Sequence, residues 1–393
     1  MIDELETLRG VRDGAPSPSE AARAGARAAW DGGTAALVTP RPLPRQRAVR
    51  HFAARSAIAL AVAAAVVAAG LIVTRHRIDS VKPTHVVAIG PRAEPAAGRP
   101  ETFLLVGTDS RAFVQTPAQK EEFGDPADEP GQRSDTMVLL RVDPGSHRVL
   151  AVSLPRDLLV DIPGCGSMKL DAAFNDDLVC GGVHGGAALL TDIVATELHV
   201  PVDHVVEIGF TGFQSLVDDL GGIRVSFGVH VRDMYTGLDL EPGCQTLNGT
   251  QALSFVRSRH LQGFVDSKWL PEPGSDLARM VREQLALRLL ANAAIARAGD
   301  DPAPLLHLLF DNVTVDDHFT AQDALVLFDA LRNDHEATTM TLPVVPANED
   351  GSVSLSPDPT TASVLDVLAG RRATLPTLPP GSATGIAYPA TAC

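Results

Sequence analysis

Residues 56–74, SAIALAVAAAVVAAGLIVT, run for 19 positions without a charge. As a helix the run is about 28 Å long at ~1.5 Å per residue, enough to cross a bilayer core of about 30 Å. No face of it is polar, so it does not read as a helix buried in a soluble core. The region before it is too long for a cleaved signal peptide, and no small-x-small cleavage site follows, so a retained anchor is expected. Arg41, Arg45, Arg47, Arg50 and Arg55 precede the run, while Arg75, Arg77 and Lys82 follow it. That bias predicts a single-pass cell-membrane protein with a cytoplasmic N-terminus and its bulk outside the cytoplasm.

The run divides a chain of 393 residues. Residues 1–55 are rich in Ala, Gly, Pro, Arg and Ser and are expected to be disordered. Residues 75–100 read as a linker or a short leading strand. Residues 101–350 carry the regular patterning of a folded domain. Residues 351–375 read as the end of that domain or an extension, and 376–393, with four Pro, as a disordered tail. The net charge is −15, which excludes a nucleic-acid partner gripped through a basic surface. Four cysteines allow three complete pairings. Cys165 and Cys180 flank a Gly-rich loop and are the favoured disulfide, while Cys393 in the tail has no assigned partner. Their spacing fits no zinc motif.

TFLLVG at 102–107 is a short apolar run ended by Gly, hence a buried strand. The polar stretch Phe113 to Gln132 reads as a mobile loop. TMVLLRVD (136–143) and RVLAVSLPR (148–156) flank Pro-Gly-Ser-His, which predicts a β-hairpin. If Asp143 pairs with Arg148, Asp135 falls opposite Arg156. If strand 102–107 also runs parallel to 148–156, Asp109 joins them at the same sheet end. Helices are predicted at Gly186–Leu198, Phe213–Leu220, 275–298, Leu305–Phe310 and Ala321–Leu331, with a strand at Ile223–Phe227. Strands alternating with helices predict an α/β fold with a central sheet flanked by helices.

Five clusters carry candidate chemistry. Gly107-Thr108-Asp109-Ser110-Arg111 follows a buried strand, where α/β sheets place ligands. Arg133-Ser134-Asp135 opens the hairpin. Two carboxylates at one sheet end suit a hard cation such as Mg²⁺. Ser153-Leu154-Pro155-Arg156-Asp157 presents Arg156 where Pro ends the pairing. In Val256-Arg257-Ser258-Arg259-His260, an extended backbone would point Arg257 and Arg259 the same way, an anion site. His260 is a weaker candidate base. Asp276-x-x-Arg279-x-x-Arg282-Glu283-Gln284 places Arg279 near a helix N-terminus, which is better explained if it faces an anion.

Together these clusters resemble the LytR-CpsA-Psr family of cell-wall ligases, over roughly residues 100–350 plus the anchor. The strings that carry it are FLLVGTDSR, RSDTMVLLRVD, SLPRD, KLDAAF, FQSLVDDLGGIRV, LNGTQALSFVRSRH and the Asp-x-x-Arg-x-x-Arg element. With only four Lys among 33 basic residues, the chain looks actinobacterial in type. The resemblance implies one domain with a central mixed β-sheet flanked by helices. It implies transfer of a glycopolymer from a polyprenyl-phosphate-linked carrier to peptidoglycan, with a phosphodiester formed. It implies Mg²⁺ (or Mn²⁺) on Asp109 and Asp135, catalytic roles for Asp109, Asp135 and Arg156, and phosphates over Arg156, Arg257, Arg259 and Arg279. Glu283 stands at that phosphate site where the family pattern has Gln. A carboxylate there requires a partner, Arg279 four residues earlier or the metal. A prenyl-pyrophosphate-glycan pyrophosphatase and a non-catalytic binder of lipid-linked polymer are the competing readings.

Overall fold

The computed structural model describes residues 81–90, 98–109, 134–146, 148–175, 178–272, 275–298, 303–333, 338–375 and 390–393. By internal contacts the chain divides into residues 1–49 and 50–393, and every described residue belongs to the second unit. The expected N-terminal segment, the anchor at 56–74, the loop from Phe113 to Gln132 and most of the tail lie outside the described residues. No helix among the described residues is long and apolar enough to cross a membrane.

The central sheet has seven strands. They are β1 (His85–Val87), β2 (Glu101–Thr108), β3 (Ser134–Asp143), β4 (Arg148–Leu154), β5 (His204–Ile208), β6 (Thr314–Asp316) and β7 (Thr338–Thr341), in the order β1-β6-β5-β2-β3-β4-β7. β2–β3, β3–β4 and β5–β6 are antiparallel, while β2–β5, β4–β7 and β1–β6 are parallel, so the sheet is mixed. β1 falls inside the stretch read as a linker or leading strand, and Val81 and Ile89 on either side of it are buried. Asp143 pairs with Arg148 in the expected hairpin register.

Seven helices accompany it: α1 (Ala187–Glu197), α2 (Phe210–Asp219), α3 (Gly249–Arg257), α4 (Ser275–Ala298), α5 (Ala303–Asn312), α6 (Ala321–Asn333) and α7 (Pro359–Leu368). β2 explains the layering. Successive side chains alternate between faces, yet Phe103, Leu104, Leu105 and Val106 are all buried. Phe103 and Leu105 join one core with α2 to α6, and Leu104 and Val106 join the other with α1 and α7. Helices therefore cover both faces, the α/β arrangement expected from the sequence.

Two expectations about the C-terminal part are corrected. Residues 359–368 are a helix packed into the core through Val364, Val367 and Leu368, so this stretch completes the domain. The end of the chain is tied down. Ala390–Ala392 adds an antiparallel strand to Ile223–Phe227, and Cys393 is bonded to Cys244. The Cys165–Cys180 disulfide is present as expected.

Candidate active site

The site lies where β2, β3 and β4 end together. A register shift between Gly107 and Thr108 decides its geometry. Gly107 pairs with Thr136 and Thr108 with Ser134, which leaves Asp135 as the extra residue of a bulge. A bulge re-aims the side chain it frees, and Asp135 lines a cavity of about 490 Å³. Arg156 follows directly on the end of β4, and its Nη1 donates to Asp135 Oδ1 at 3.0 Å. Arg259 Nη2 donates to the same oxygen at 3.0 Å. Asp109, next after β2, lines the same cavity.

α3 supplies the next part. Asn248 caps it with a full capping box, accepting from the Gln251 N–H while the Gln251 side chain accepts from the Asn248 N–H. Gly249 sits so close to α2 that an added Cβ would meet the Gln214 carbonyl oxygen at 2.3 Å. Its N–H donates to Asp218 Oδ1 at 2.7 Å. The expected extended stretch at 256–260 is thus corrected, because the capping box starts a helix that ends at Arg257. Arg257 and Arg259 reach the cavity from the helix end and the turn after it. The Arg257 guanidinium lies 4.1 Å from the centre of the Phe210 ring.

Arg282 on α4 holds that turn. It is only 1% exposed, donates to the Phe255 and Ser258 carbonyls and pairs with Glu272. Burial pushes its guanidinium pKa down, against the pull of Glu272. Asp233 grips the turn from the other side. Its Oδ2 accepts from Ser258 Oγ at 2.5 Å and the His260 N–H at 3.2 Å, and its Oδ1 from the Tyr235 N–H at 2.8 Å. Burial alone would raise the Asp233 carboxyl, but these hydrogen bonds outweigh it and hold the group below its ordinary value.

Arg279, also on α4, is 2% exposed and donates to the Asp135 backbone carbonyl at 3.1 Å and to Glu283 Oε1 at 2.6 Å. Glu283 thus has the Arg279 partner that a carboxylate in this position requires. The neighbouring Gln284 donates to Ser153 Oγ at 2.7 Å instead. Asp171 also lines the cavity, and burial raises its pKa against the pull of Arg156.

All seven sequence-predicted site residues (Asp109, Asp135, Arg156, Arg257, Arg259, Arg279 and Glu283) therefore line one cavity. Asp171, Asp233 and Tyr235 share it without having been assigned a role from the sequence. Asp171 stood inside the KLDAAF string, and the Asn-Gly-Thr-Gln capping signal could have placed α3. The wall is two-sided. Five carboxylates and four guanidiniums occupy one part, while Ile208, Phe210, Phe213, Leu253, Val256 and Leu287 make an apolar part. α2 begins in this wall at Gly209 with no side-chain cap, so its dipole favours negative charge there.

A profile of the LytR_cpsA_psr family matches residues 73–365. The chain belongs to that family. Among its LytR_cpsA_psr relatives is the cell wall biosynthesis protein LcpA of Corynebacterium glutamicum, 30% identical over 240 residues, 56% of this chain and 44% of the relative. The polyisoprenyl-teichoic acid–peptidoglycan teichoic acid transferase TagU of Oceanobacillus iheyensis is 32% identical over 215 residues, 53% of this chain and 61% of the relative. The chain thus spans about half the length of the curated relatives it matches. Among solved structures, the LytR-Csp2A-Psr enzyme from Actinomyces oris is similar at a TM-score of 0.55 and 26% identity, covering 73% of this chain and 96% of that one.

Proposed function

We propose that the protein transfers a glycopolymer from a polyprenyl-pyrophosphate carrier to a peptidoglycan hydroxyl. The observation that carries this reading is the two-sided cavity, with a cluster of arginines beside an apolar wall. Such a cavity suits an amphiphile whose anionic head is fixed by guanidiniums and whose tail lies on hydrocarbon. The relatives named for cell-wall biosynthesis and for teichoic acid transfer support it. Ser56–Thr74 would anchor the domain at the outer membrane surface, where such a carrier is presented.

The donor set fits Mg²⁺ or Mn²⁺ on Asp109 and Asp135. It is all oxygen, and two carboxylates leave most of an octahedral shell to substrate phosphates and water. Such an ion would neutralise the pyrophosphate as charge develops. Arg156 and Arg259 orient Asp135 and stand ready for phosphate oxygens. In the reaction the acceptor hydroxyl oxygen bonds to the phosphorus next to the glycan. The bond from that phosphorus to the bridging oxygen breaks, and prenyl phosphate leaves with the electron pair. The hydroxyl proton goes to Asp109. Arg257 and Arg279 stabilise the equatorial and leaving oxygens.

Replacing Arg257 and Arg259 together by Ala tests the reading. Affinity for farnesyl pyrophosphate should fall at least tenfold at low salt, with a smaller loss at high salt. Unchanged affinity would mean that these arginines serve the solvent face.

A further inference from the structure

At the opposite end of β2 from Asp109, three side chains from separate elements converge. Glu101 begins β2, His204 begins β5 and Asp323 lies in the first turn of α6. One ligand atom from each lies within 4.8 Å of the others. β2 has eight residues, so this point is about 25 Å from the cavity at ~3.3 Å per residue. The mechanism uses none of the three.

We propose that Glu101, His204 and Asp323 form a buried binding site for a divalent cation of the zinc type, with Asp316 as the outer partner of the histidine. Two observations point to a ligand. Glu101 and His204 are 6% and 2% exposed, and Glu101 Oε2 and His204 Nε2 are both buried without a hydrogen-bond partner. Leaving two such atoms unsatisfied is expensive, and a shared cation satisfies both. Each ligand is also held by its surroundings. Asp316 Oδ2 lies 3.2 Å from His204 Nδ1 and accepts from the Val205 N–H at 2.7 Å. An Nδ1–H donated to that carboxylate leaves the Nε2 lone pair facing the cluster, the usual backing of a metal-bound histidine. The ring is fixed between Phe103 at 5.2 Å and Phe319 at 5.3 Å. Asp323 Oδ2 is occupied by the N–H and hydroxyl of Thr320, which leaves Oδ1 4.0 Å from His204 Nε2.

The charge balance agrees. Glu101, Asp316 and Asp323 surround one imidazole, and the nearby Arg99 is engaged by Asp203 at 2.6 Å. Burial, with Asp323 next in effect, pushes the Glu101 carboxyl up to about 7. One nitrogen and two carboxylates suit Zn²⁺, with water as the fourth ligand, better than Mg²⁺. Zinc bonds of ~2.0 Å place ligand atoms about 3.3 Å apart, so the cluster closes by an ångström or so on binding. The ion would staple α6 to the sheet.

The test uses the full chain without a histidine tag. Metal analysis after gel filtration in buffer with added Zn²⁺ should give one Zn²⁺ per chain. Chelation should lower the melting temperature by several degrees, and Zn²⁺, not millimolar Mg²⁺, should restore it. Glu101→Gln and Asp323→Asn should lose both the metal and the chelator response, while Asp135→Ala keeps them. A wild type that retains no metal and melts identically with Zn²⁺ and chelator overturns the proposal. So does metal lost in Asp135→Ala but kept in Glu101→Gln, which would place the ion in the cavity.

Discussion

Asp135 and Glu283 are the two residues on which the site turns. One Asp135 oxygen serves both Arg156 and Arg259, and its backbone carbonyl serves Arg279. Asp135→Ala should abolish metal-dependent turnover while leaving the circular dichroism spectrum and the cooperative unfolding intact. Retained turnover would remove its role. Glu283→Gln keeps an acceptor for Arg279 and removes a charge from the phosphate site. Pyrophosphate should bind roughly tenfold tighter by calorimetry, a change of ~1.4 kcal/mol. The same variant should lose about 1–3 kcal/mol of stability in urea, since a buried charged hydrogen bond is weakened. Asp233 supplies a pH signature. Its folded pKa is lowered, so the stability it contributes is present above the unfolded value of 3.8 and is lost as pH falls through the folded value. Urea unfolding should show the wild type's advantage over Asp233→Asn shrinking below that pH. The pairing of Asp135 with Arg156 was legible in the sequence because a hairpin with a fixed turn has arithmetic register. The holding of the turn by Arg282 and Asp233 was not, because a buried ion pair and a solvated one read alike in sequence.

At the level of elements, legibility follows how local the cause is. The hairpin and α4 depend on neighbouring residues, and both stand close to where the sequence puts them. Arg257 was misread as extended because charge spacing was weighed and the Asn248–Gln251 cap was not. β5 escaped notice because HVVEI is short and pairs with residues about a hundred positions away. The terminal strand escaped for the same reason, since the disulfide that holds it joins residues 149 apart. In the chain-entropy picture closing a loop that long contributes up to about 5 kcal/mol, against about 3 for a 15-residue loop. Cys393→Ser should therefore lower the urea midpoint more than Cys165→Ser and raise hydrogen exchange at 225–227. Equal and negligible effects would mean the terminal strand holds nothing.

Across the whole molecule, the mixed sheet and its two helical layers carry an amphipathic cavity at one end of β2 and a buried ligand cluster at the other. The family was legible because its strings keep their order. The cavity's apolar wall was not, since an apolar helix face looks the same whether it packs or binds. The central claim is transfer to an acceptor, and product analysis tests it directly. The full chain would be incubated with a polyprenyl-pyrophosphate-linked sugar, Mg²⁺ and peptidoglycan fragments, and the products followed by mass spectrometry. The account predicts prenyl phosphate together with a glycan joined to peptidoglycan through a phosphodiester. Prenyl phosphate with only free sugar phosphate, or a lipid bound and left intact, would contradict it.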